Sequence, residues 1–143
     1  MRLWHQKLIP HLDRQRLLGQ HRECAALRGK GWGKKHSVVN YVFDYCPAHL
    51  IAYHYLIMQE MERRGYHPDT VWKDCGHRGT ALGIDSTWRY QEHLVLHLVE
   101  TVLKDENFMI FEEHDKKYMK ECLDNLEEKG VEMPYEDLRS TYL

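Results

Sequence analysis

Nowhere does the chain approach the ~18 uninterrupted apolar residues that a membrane helix needs, and the longest candidate, residues 50–58, is broken by His54. The opening MRLWHQKLIP also lacks the apolar stretch of a secretory signal. Both absences predict a cytosolic protein, cytoplasmic and without a membrane partner. Cysteine is sparse. Cys24, Cys46, Cys75 and Cys122 stand far apart with no C-x-x-C pair, which argues against a disulfide framework and a zinc ribbon and predicts four reduced thiols. The G-x-x-x-x-G-K-[ST] loop of triphosphate-binding proteins is missing, as is any local signature of a Ser/His/Asp triad or a paired-carboxylate glycosidase. Nothing repeats, so solenoid and fibrous classes drop out. What is left, at 143 residues with 43% hydrophobic and 29% charged, is the composition of one compact globular domain, residues 1–143.

The net charge of −2 hides an asymmetry. Residues 1–36 hold nine Lys/Arg against Asp13 and Glu23, a balance of +7, while residues 37–99 carry −2 and residues 100–143 carry −7. A basic first quarter fits a positive face offered to a polyanion. It fits equally a chain whose two ends neutralise each other.

Asp13 is placed to cap a helix running to Arg28, with Gly29 just past its end. Its inward face is predicted to carry Leu17, Leu18, His21, Cys24, Ala25 and Arg28, leaving Arg16, Gly19, Gln20 and Glu23 on the other side. Pro47 suits the first turn of a second helix that ends at Gly65, with Leu50, Ile51, His54, Ile57, Met58 and Met61 inward. Residues 66–86 read as a long irregular connection, residues 87–104 as a third helix and residues 115–129 as a fourth, stopped by Gly130. The tail 131–143, with Met133-Pro134-Tyr135, is expected to be an extended arm. The predicted fold class is all-α, three to four helices with long loops.

Two local features carry chemistry. Arg22-Glu23 sets a guanidinium beside a carboxylate one turn after Gly19, and a glycine inside a helix costs about 1 kcal/mol relative to alanine. Its presence suggests that something approaches the backbone there. The loop Gly29-Lys30-Gly31-Trp32-Gly33-Lys34-Lys35-His36 alternates flexibility, charge and one stacking surface. That combination suits Lys30, Trp32, Lys34, Lys35 and His36 to nucleic-acid backbone and bases, and suits Trp32 equally to packing in the core.

The segment from Leu8 to Glu23 resembles the amino-terminal helix of the pyrimidine-dimer DNA glycosylases, repair enzymes of the phage endonuclease V type, and in particular a short bacterial branch. The matching residues are Gln15, Leu17, Gly19, Arg22 and Glu23, with His21 in an aromatic place. Tyr41-Val42-Phe43-Asp44, the helix closing at Arg64-Gly65-Tyr66, and the block Glu113-His114 to Lys129 resemble the rest of that family more loosely. The resemblance implies a DNA N-glycosylase and AP lyase, a hydrolase and lyase of DNA repair, with no cofactor and with damaged double-stranded DNA as partner. Its nucleophile is the α-amine of the first mature residue. Because Arg2 follows, that amine is expected to be that of Met1. Glu23 is implied to position the amine and shuttle protons, and Arg22 to bind a phosphate beside the lesion. Arg2, Arg14, Gln15, Arg16 and Arg28 are further implied DNA contacts.

Two other readings stand beside this one. One is a non-enzymatic module on the same fold that binds nucleic acid or protein through residues 14–36. Alternatively His93 and His97, spaced i and i+4 on one helix face, form half of a metal site that Cys75, His77 or His114 completes.

Overall fold

The computed structural model describes residues 2–35 and 38–143. Among these residues the chain is helical, with six α-helices and three 3₁₀ helices, and its one β feature is an isolated antiparallel bridge between His77 and Ile84. The all-α class holds; the number of helices is higher than the sequence suggested.

Helix α1 spans Arg14–Arg28 and begins as expected, with the Asp13 carboxylate accepting from Arg16 N. Its end departs from the expected left-handed stop, since Gly29 sits at φ −87°. The loop that follows folds back on the helix, and Gly31 lies so close to it that a Cβ there would meet the Ala26 carbonyl oxygen at 2.8 Å. Helix α2, Pro47–Arg63, is the centre of the molecule. Leu50, Ile51, Tyr53, His54, Ile57, Met58 and Met61 are all buried along it, and α1 and α4 pack on its flanks.

The predicted third helix is two helices, α3 at Ser86–Arg89 and α4 at Glu92–Lys104. The break has a cause in packing: the Gln91 side chain turns away to accept from Ala48 N at 3.0 Å, at the start of α2. Helix α5, Lys116–Glu128, buries Met119, Cys122, Leu123 and Leu126 and ends before Gly130, whose φ of +77° is a left-handed stop. The tail is a helix rather than an extended arm. Helix α6 spans Tyr135–Tyr142 and rests on α5 through buried Leu138, while Arg139 pairs with Asp124 at 2.9 Å. Glu136 and Asp137 in its first turn suit the helix dipole, a signal that Met133-Pro134 obscured. The buried side chains of all these elements form one continuous core.

Two glycines give opposite expectations in urea unfolding. Gly31→Ala is expected to lose about 1–3 kcal/mol, because its methyl meets helix backbone that cannot yield. Gly19→Ala is expected to gain up to about 1 kcal/mol, since its Cβ would meet only the flexible end of Arg22 at 3.7 Å.

Candidate functional site

The site begins with a segment that belongs to no helix. Leu3, Trp4 and His5 are buried although they run ahead of the first 3₁₀ helix, Gln6–His11, and so is Gln6, which opens it. A buried backbone needs partners for its N–H and C=O groups, and no neighbouring strand supplies them. Side chains do so instead. Gln20 accepts from Trp4 N at 2.7 Å and donates to the Arg2 carbonyl at 2.9 Å. Tyr118 donates to the Leu3 carbonyl, Tyr53 donates to the Trp4 carbonyl at 2.7 Å, and His114 Nδ1 accepts from Gln6 N at 3.0 Å. The Gln6 side chain completes the set, donating to Phe108 O and accepting from Ile110 N, both at 2.9 Å.

Because His114 Nδ1 is an acceptor, its proton sits on Nε2, 2.9 Å from the Tyr41 hydroxyl. Burial, helped by the neighbouring His5, holds the His114 imidazole down to about 3, and burial holds His5 down to about 4. Both rings are therefore neutral at cellular pH.

Glu23 joins this segment through Gln20. The Nε2 that donates to the Arg2 carbonyl also donates to Glu23 Oε2 at 2.9 Å. Half-burial raises the pKa of Glu23, against the opposing pull of Lys129, the Gln20 hydrogen bond and Arg22. The Arg2 guanidinium lies 5.8 Å from the centres of both the Trp4 and Tyr118 rings, and Lys129 Nζ lies 5.5 Å from that of Trp4. The sequence reading missed Gln20, Trp4, Tyr118 and Lys129. Gln20 was assigned to the open side of α1 and is buried; a glutamine on a helix gives no sign that an extended strand will cross it. Lys129 was lost within the acidic third of the chain.

The predicted DNA contacts divide sharply. Arg14, Gln15, Arg22, Lys30, Lys34 and Lys35 are exposed. Arg14 lies over the Tyr66 ring, and Arg16 is drawn to Asp13 at 3.3 Å and Gln15 at 3.0 Å. Arg28 must be corrected: it is fully buried, its guanidinium donating to the carbonyls of Trp72 (2.7 Å), Asp74 (2.7 Å) and His77 (3.0 Å), so it cannot reach a phosphate. Trp32 is half-buried, edge-on to Phe43 and Trp88 at 5.1 and 5.2 Å, which favours its packing role. Met1 and His36 lie outside the described residues. Among the described residues no ion pair joins residues 1–36 to residues 100–143.

His93 and His97 are exposed on α4, and among the described residues no group of three or more His, Cys, Asp or Glu is arranged to hold a metal. Cys75 is buried beside the Tyr55 hydroxyl at 3.3 Å, and His114 is spent on the amino-terminal segment. No helix among the described residues is long and apolar enough to cross a membrane.

The fold is that of a small all-α protein in which the buried residues 3–6 are tied through Gln20 to a half-buried carboxylate, Glu23. Residues 1–74 match the family model described as pyrimidine dimer DNA glycosylase, and the chain belongs to that family. Membership carries DNA repair, glycosylase activity and a DNA substrate. The matched part contains α1 and α2, hence Gln20, Arg22, Glu23 and Tyr53; Tyr118, His114 and Lys129 lie beyond it. No curated protein and no solved structure matches the chain.

The neutral histidines give the fold a pH dependence. Imidazoles held below their unfolded value near 6.5 leave the unfolded chain binding more protons, so stability is full above about pH 6.5 and is lost as pH falls toward about 4. Thermal midpoints should drop over that window, and the drop should be shallower in His114→Gln.

Proposed function

We propose that the protein is a DNA glycosylase with an associated AP lyase step, working through an imine between the Met1 α-amine and the damaged nucleotide. An α-amine has an ordinary pKa of about 7.7–8.0, so a useful fraction is neutral and nucleophilic in the cell. Its nitrogen attacks C1′, the bond from C1′ to the base breaks, and the base leaves with the bonding pair and takes up a proton. The sugar ring opens as the imine forms. Loss of a proton from C2′ then expels the 3′ phosphate and cuts the strand.

The observation that carries this reading is the single amide of Gln20 donating to both the Arg2 carbonyl and Glu23 Oε2, each at 2.9 Å. Arg2 is one residue from the amine, and consecutive Cα atoms stand about 3.8 Å apart. Glu23, its proton affinity raised by burial, is suited to take a proton from the attacking amine and to return one to the leaving group. Arg22, exposed on the next position of α1, is assigned to a phosphate flanking the lesion, with Arg2, Arg14, Lys30, Lys34 and Lys35 as further backbone contacts. Residues 1–143 are read as one domain, which the continuous core supports, and a DNA substrate supports a cytoplasmic place of action.

Borohydride reduction in the presence of abasic-site DNA tests the chemistry. Protein that starts at Met1 should give a covalent adduct, reduced about 100-fold or more by Glu23→Gln and abolished by extending the amino terminus. Arg22→Ala should instead weaken DNA binding about 10-fold and lower the salt dependence by about one counterion. If protein with an authentic first residue binds DNA but never traps, it is a non-enzymatic binder on the same fold.

A further inference from the structure

Gln20 is 1% exposed and spends both of its N–H donors on the site. A primary amide has two donors and an oxygen with two lone pairs. The oxygen faces Trp4 N at 2.7 Å and the Tyr53 hydroxyl at 2.9 Å; the two N–H bonds go to the Arg2 carbonyl and to Glu23 Oε2. The orientation is forced, because Trp4 N can only donate, and a flipped amide would set an oxygen against a carbonyl and a carboxylate. Glutamate in this place would bring that same repulsion, and methionine would leave two buried backbone groups unpaired.

We propose that Gln20 is the positioning residue of the site: one rigidly held amide fixes the Arg2–Leu3 peptide against the Glu23 carboxylate and so sets how the leading amine meets it. The inference rests on the amine reading above and adds a residue that neither attacks nor carries a proton. Gln20 and Glu23 are one turn apart on α1, so both are carried by a single rigid helix. With Oε2 held by Gln20, Oε1 is the oxygen left to handle protons. Among the described residues the charged groups acting on Glu23 are Lys129 from the end of α5 and Arg22 from α1. They are untouched by a change at Gln20.

The test compares wild-type protein, Gln20→Glu and Gln20→Met. Borohydride trapping on abasic-site DNA is followed from about pH 5.5 to about pH 8.5, with DNA affinity and thermal midpoint recorded at each pH. Gln20→Glu keeps an acceptor for Trp4 N and should bind DNA as wild type does. It should trap about 10-fold or more slowly near pH 8, where its carboxylate repels Glu23, and regain about 5-fold of that deficit toward pH 5.5, where a shared proton restores the bridge. Gln20→Met should trap slowly throughout, with its acid limb moved to higher pH because Glu23 has lost a donor to its charged form. Folded variants that trap at the wild-type rate overturn the role, and so does a loss of trapping matched by an equal loss of DNA affinity. If neither variant folds, nitrogen NMR of the wild-type Gln20 side chain decides: its amide protons should exchange slowly and shift as Glu23 titrates, and a signal blind to that titration overturns the bridge. Wild-type protein that forms no adduct sinks the amine reading instead, an outcome distinct from variants that trap normally.

Discussion

A backbone cannot lie inside a protein with its N–H and C=O groups unmet, and here residues 3–6 lie inside with no strand among the described residues beside them. The burial of Leu3 and Trp4 favours folding only because Gln20, Tyr53, Tyr118 and His114 stand where the backbone groups point. These side chains come from α1, α2, α5 and the turn before α5, so the amino-terminal segment is held by most of the molecule at once. Its rigidity is a consequence of core packing.

The opposite end of α1 shows the same economy with a charge. Arg28 is buried without a carboxylate; three carbonyls of residues 72–77 and His54 Nδ1 at 3.1 Å receive its protons. Since an arginine only donates, His54 carries its proton on Nε2 and passes it toward His21 Nδ1, 2.7 Å away. The loop between α2 and α3 is thereby pinned to the helix that bears Glu23. Arg78 adds to the pinning, donating to the Arg28 carbonyl at 2.9 Å while its guanidinium stacks 4.0 Å from the centre of Trp88. Trp88 in turn packs on Trp32, so the basic glycine loop has an anchored root and exposed lysines.

Charge is consequently divided by place rather than by number. The acidic last third pairs within itself, as Arg139 does with Asp124 and Lys120 with Asp124 at 2.7 Å. The cations of α1 keep their charge facing outward, apart from Arg16 and buried Arg28. A net charge of −2 therefore coexists with outward-facing cations on α1.

The sequence by itself determined what depends on near neighbours. The Asp13 cap, the Pro47 start, the left-handed stop at Gly130 and the inward face of α2 were all readable, because capping, proline geometry and helical periodicity act within a turn or two. Only the tertiary structure decided that Gln20 faces inward, that Arg28 is a clamp, that residues 135–142 coil onto α5, and that Lys129 returns to Glu23. Each of those depends on partners many residues away; Tyr118 and Leu3, for example, are 115 apart in the chain. A polar side chain shows its own hydrogen-bonding capacity in the sequence, but folding alone settles which distant backbone group will use it.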